Sequence, residues 1–186
     1  MLGPDRLIAS FCAAAALAAP IVARADERAD CTRGDGTLLA GVVIAKPSFV
    51  EGKPLKGIPL THTHIRIRGD ADGKVYDLAV DDVFAAGYDP HVSEVPSPLD
   101  SIVIGEHLEA CGLPYAGGMH WVHTNCGDTP TPKDPDGWLK EIDAAGAAGP
   151  NLEDSQKYCY LWSGHGSSHH RKRHSKTQQS ADVSAY

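Results

Sequence analysis

Hydrophobic and polar positions alternate most regularly between residues 61 and 68. Thr61, Thr63, Ile65 and Ile67 interleave with His62, His64, Arg66 and Arg68, the two-residue period of a half-buried strand. Gly69-Asp70-Ala71-Asp72-Gly73 supplies a turn and Val75 to Val80 returns as a second strand, so a hairpin is predicted here. Upstream, the apolar, β-branched run Leu38 to Ala45 predicts a buried strand ended by Lys46-Pro47, and the prolines and glycines of Gly52 to Pro59 predict a loop. Downstream, Asp82 to Pro98 is irregular. Asp100 or Ser101 would cap a short helix running to Cys111, with Gly112 as its stop. A second helix is predicted over Gly137 to Ala145, with Trp138, Leu139 and Ile142 on one side. Met119 to Thr124 reads as β-prone, and Lys157 to Trp162 as a final strand carrying Tyr158, Tyr160 and Trp162 on one face. The expected class is α+β: a single β-rich domain with two short helices.

The two ends of the chain depart from this pattern. Arg6 precedes an apolar run from Leu7 to Val22, which closes on Ala23-Arg24-Ala25 before Asp26. This is the layout of a cleavable signal peptide over residues 1–25. The run is shorter than the roughly 20 apolar residues that span a bilayer, so export with cleavage is expected and no membrane span after it. Residues 26–36 read as a polar lead-in, 26–162 as the globular domain, and 163–186 as a disordered tail rich in His and basic residues. The predicted location is periplasmic or extracellular. Four cysteines follow the leader, Cys31, Cys111, Cys126 and Cys159, and an even number in an exported chain reads as two stabilising disulfides. Of the three pairings, the one expected joins the domain ends through Cys31–Cys159 and closes an internal loop through Cys111–Cys126.

The formal net charge is −7. In the tail, Arg171, Lys172, Arg173 and Lys176 face one acid, Asp182, so the body is strongly acidic. An acidic body excludes a phosphate-binding nucleic-acid surface there. The chain holds ten histidines, and imidazole is the commonest side chain for borderline transition metals near neutral pH. His62 and His64 share one strand face, although Arg66 and Arg68 on that face disfavour a cation. His120 and His123 precede a turn-forming stretch that includes Asn125 and Asp128, a setting in which sites are often placed. On a flat strand, however, His120 and His123 would point to opposite faces.

One stretch also resembles a known family. Gly118-x-His120-x-x-His123-x-Asn125-x-Gly127, followed by Asp136-Gly137-Trp138, looks like the closing motif of the domain-of-unknown-function 2278 family. Thr63-His64-Ile65-Arg66-Ile67 with Tyr76-Asp77-Leu78-Ala79-Val80 resembles that family's early hairpin. The resemblance covers roughly residues 38–142 and departs at Asp81-Asp82-Val83-Phe84, where the family carries Asn-Val-Lys-Ser. It singles out His64, His120, His123 and Asn125 and implies no particular reaction.

Three functions are expected. The first is capture of a divalent transition metal, zinc or manganese, by His120, His123, His64 and His62 with Asp128. The second is a metal-dependent hydrolase that uses the same site on a small-molecule substrate. The third is a metal-free secreted module that meets a protein partner.

Overall fold

The computed structural model describes residues 20–162. The leader expected over 1–25 lies outside the described residues up to residue 19, and the tail expected over 163–186 lies outside them altogether. Where a polar lead-in was expected, the chain forms α1 (Pro20–Arg33). Arg33 lies in the last turn, where a cation favours the helix dipole, and it pairs with Asp30 one turn earlier. The helix is held to the body by the Lys140–Glu27 ion pair at 2.5 Å and by Cys31, which is 1% exposed.

Among the described residues nine strands follow: β1 (Thr37–Val43), β2 (Ser48–Val50), β3 (Pro54–Leu55), β4 (Ile58–Pro59), β5 (His62–Gly69), β6 (Val75–Asp81), β7 (His107–Tyr115), β8 (Gly118–His120) and β9 (Trp138–Ile142). β1 pairs with β5, β5 with β6, β6 in parallel with β8, β8 with β7, and β7 back with β1. The ring closes as a five-stranded barrel, which removes the open edges a flat sheet would leave. β2 adds to β5 and β9 to β7 outside the ring, and β3–β4 is a separate small hairpin.

The predicted hairpin is β5–β6, with Ile65 opposite Leu78 and Ile67 opposite Tyr76. Thr63, Ile65 and Ile67 are buried as the alternation requires. Ile65 and Ile67 join Leu78, Val80, Leu108 and Leu139 in the barrel core.

Neither predicted short helix exists, and the α+β class gives way to a β-barrel with 36% strand against 12% helix. The first was misread because β7 is covered on both faces. Its residues from Leu108 to Gly112 are all buried, so the strand lacks the alternation that separates it from a buried helix. After a short 3-10 turn at Leu99–Ser101, β-branched Ile102, Val103 and Ile104 lead to Gly105. Gly105 adopts φ +97° and donates to the Val43 carbonyl, turning the chain into β7. The second predicted helix is β9. Leu139 enters the barrel core while Trp138 packs on the other side with Cys31 and Cys111. Alternation across one strand had looked like a helical stripe. The predicted strand at 157–162 is a 3-10 turn, Cys159–Leu161. It buries Tyr158 and Leu161 against Val83 and Phe84 and leaves Tyr160 exposed.

The disulfides are Cys31–Cys111 and Cys126–Cys159, not the expected pairs. The β1–β7 register sets Cys111 opposite Leu38, just beyond α1, so the helix end meets Cys111 with Cα atoms 5.5 Å apart. The second bridge joins the loop after β8 to the 3-10 turn. Each contributes about 2–4 kcal/mol.

No helix among the described residues is long and apolar enough to cross a membrane. Two disulfides accord with an exported chain.

Candidate functional site

The outer face of β5–β6 carries the site because side-chain direction alternates along each strand. Thr63 and Ile65 point into the barrel, so His62 and His64 point out. On β6, Leu78 and Val80 point in, so Asp77, Ala79 and Asp81 point out. The antiparallel register sets His62 opposite Asp81 and His64 opposite Ala79. The geometry follows: His62 Nε2 lies 2.8 Å from Asp81 Oδ1, and His64 Nδ1 lies 2.7 Å from Asp77 Oδ2. Tyr115 reaches across from β7 and donates its hydroxyl to the same Asp77 oxygen at 2.9 Å.

His120 ends β8, and the next residue resolves the spacing problem of His120 and His123. Trp121 adopts φ +57°, a left-handed conformation that costs a non-glycine residue roughly 1–2 kcal/mol. The strand ends there, and the chain turns so that His123 swings to the same side as His120. Trp121 offsets part of that strain by stacking its ring on His123, centroids 5.9 Å apart. Phe84 also stacks on His123, at 3.9 Å and nearly parallel. His123 Nδ1 donates to the Thr124 carbonyl at 2.7 Å, and Nε2 lies 3.2 Å from Asp81 Oδ2. Both ring nitrogens therefore face oxygen atoms.

His62, His64, His120, His123 and Asp81 line one cleft of about 420 Å³, rimmed by Leu60, Trp121 and Trp162. Asp128 does not line it; its carbonyl accepts from the Asn125 side chain, so the residue shapes the loop. Asn125 is likewise structural in its bonds. Its side-chain oxygen accepts from Gly127 N–H, and its own N–H donates to Asp136. Gly137 follows, and a Cβ there would stand 2.3 Å from the Trp121 carbonyl, so only glycine lets β9 start beneath the histidine loop.

Electrostatics separates the histidines. His62 is raised above its ordinary value, chiefly by its hydrogen bond to Asp81 and against the opposing effect of burial. His120 is lowered by burial and by the neighbouring histidines, against the pull of Asp81. Its near neighbours are aromatic, Tyr115 at 5.7 Å and Trp121 at 6.2 Å, both edge-on. For Asp81 itself, burial opposes ionisation, but hydrogen bonds from His123 and His62 outweigh it and hold the carboxylate well below the usual range.

The histidines and the neighbouring Trp121 were legible in the sequence; Asp77, Asp81, Phe84 and Trp162 were missed. Asp77 and Asp81 carried a usable signal, because they share the outward parity of β6. Trp162 carried none, since it reaches the cleft through the second disulfide. Among the described residues, no group of three or more His, Cys, Asp or Glu side chains is gathered as a metal centre. Comparison with protein-family profiles, curated proteins and solved structures finds no match for the chain. The fold and cleft define it as a closed β-barrel with a histidine–carboxylate site on its outer face.

Proposed function

We propose that the protein is a hydrolase that cleaves an ester or phosphoester bond by histidine acid–base chemistry in this cleft. One observation carries the reading. A single cleft holds one imidazole kept charged by a carboxylate, His62 on Asp81, and one kept neutral by its surroundings, His120. Titratable groups pushed apart in this way are how enzymes assign an acid and a base. Neutral His120 takes a proton from water as its oxygen attacks the carbonyl carbon or phosphorus. His62 gives its proton to the departing oxygen as that bond breaks. Proton exchange with solvent then resets both rings. Asp77 accepts from His64 Nδ1–H and holds that ring in one orientation, leaving Nε2 to accept a hydrogen bond from the substrate.

The test is turnover of chromogenic carboxylic esters and phosphodiesters across pH. A bell-shaped profile is expected. Activity rises with pH as His120 loses its proton below the ordinary histidine value of 6.5. It falls again as His62 loses its proton above 6.5. His120→Ala and His62→Ala should each cost roughly 10²–10⁴-fold with unchanged circular dichroism. Equal turnover in wild type and His120→Ala would remove the cleft from the reaction.

A second reading keeps the same residues as ligands for zinc or manganese. It is favoured by His62 and His64 each bonding a carboxylate oxygen through one ring nitrogen, the arrangement that orients metal-binding imidazoles. Elemental mass spectrometry on protein purified without chelators separates the two. Stoichiometric metal that His64→Ala abolishes supports the metal site, whereas turnover unchanged by chelation supports acid–base chemistry alone.

A further inference from the structure

Two kinds of surface meet in the histidine cleft. One is aromatic. Trp121 stacks on His123 with 25° between the rings, His123 on Phe84 with 6°, and Phe84 on Trp162 with 24°. Trp121 and Trp162, the ends of this row, are half-buried and line the cleft beside Leu60. An indole so placed offers a ligand a broad apolar body. The other surface accepts hydrogen bonds. Asp77 Oδ2 receives the His64 Nδ1–H at 2.7 Å and the Tyr115 hydroxyl at 2.9 Å. Burial, together with the bond to Asp77, pushes the Tyr115 phenol up to about 12, so it stays a donor. The proton of His64 is thereby fixed on Nδ1, and Nε2 is an unprotonated acceptor in a ring that lines the cleft. Charge narrows the choice of ligand. Among the described residues lining the cleft there is no Lys or Arg, and the one carboxylate, Asp81, faces His62 and His123. The charged oxygens of a phosphoester call for such cations, whereas a neutral ester does not. A sugar offers what this cleft accepts: an apolar C–H face for indole, hydroxyl donors and no charge.

We propose that the bond cleaved is a carboxylic ester carried by a sugar, with Trp121 and Trp162 seating the sugar ring and His64 Nε2 accepting a hydrogen bond from one of its hydroxyls. This names the substrate class of the hydrolase proposed above and rests on that reading. The water oxygen bonds the acyl carbon as His120 takes the water proton. The bond from that carbon to the sugar oxygen breaks, and His62 gives the sugar oxygen a proton. The products are the free acid and the free sugar hydroxyl, with no change of oxidation state. His64 sets specificity, because a site built to meet a hydroxyl rejects an analogue that lacks one.

The test compares glucose acetylated on its hydroxymethyl group with cyclohexylmethyl acetate, which has the same ring size and ester but no hydroxyls. In the wild-type chain kcat/KM for the sugar ester should be higher by about tenfold or more. His64→Ala should bring the two esters close to parity, and Trp162→Leu should raise KM for the sugar ester more than it lowers kcat. Binding to the wild type needs no variant to fold. Methyl glucoside should change the tryptophan emission saturably, since two of the chain's three tryptophans line the cleft. Equal kcat/KM for both esters, with no emission change, overturns the sugar and leaves the hydrolase standing. A preference for the sugar ester that survives His64→Ala overturns the role of His64. Saturable emission change without turnover of either ester overturns the hydrolase and leaves a cleft that only binds sugar.

Discussion

Asp81 is the residue on which the cleft turns, since it holds His62 through one oxygen and His123 through the other. Asp81→Asn keeps the shape and removes the charge. With the Asp81 side chain 23% exposed, the variant should lose about 1–3 kcal/mol, less than a fully buried pair would cost. The pH dependence follows from the directions of the shifts. Asp81 sits below its ordinary value, so its contribution is present above about pH 4 and fades as pH falls toward its own lower value. His62 sits above its ordinary value, so its contribution is complete below about pH 6.5 and fades as pH rises through its own higher value. Denaturant titrations across pH should therefore show the widest gap between wild type and Asp81→Asn at roughly pH 4–6.5. A gap that stayed constant from pH 3 to 9 would mean the loss is steric.

At the scale of elements, two devices aim the loop between β8 and β9. Gly137 lets β9 pass under it, and the Cys126–Cys159 bridge ties it to the turn that supplies Trp162. Gly137→Ala would drive a methyl group into the Trp121 carbonyl, so it should displace His123 and cut activity by at least tenfold. The barrel should persist, which retained far-ultraviolet circular dichroism would check. Replacing Cys126 and Cys159 together by serine should cost about 2–4 kcal/mol. It should also loosen Trp162, seen as a red-shifted and more quenchable tryptophan emission. The cysteine count disclosed that bridges form. Their pairing depends on which strand lies beside α1, and no spacing in the chain states that.

For the whole molecule, closure of the barrel is the main stabilising feature. Leu108 packs inside it at 0% exposure, on the strand that pairs with β1, β8 and β9. Leu108→Ala should lower stability by about 2–5 kcal/mol, measured by chemical denaturation. Amide exchange should be slowest on β5 and β7, each paired with three other strands.

Local chemistry by itself determined the β5–β6 hairpin, because period-two alternation and a Gly-Asp-rich turn act within a few residues of chain. It determined the β1 strand for a similar reason, and the outward parity of His62 and His64 followed. It could not separate β7 or β9 from helices, since a strand covered on both faces shows no alternation, and Trp138 and Leu139 fit either period. Contacts between residues distant in the chain decided the rest. The parallel β6–β8 pairing closed the barrel and brought His120 beside the hairpin. The left-handed turn at Trp121 carried His123 to the same cleft, and packing of α1 on β7 chose the disulfide partners. These depend on which surfaces meet when the barrel closes, an event that no local stretch of sequence encodes.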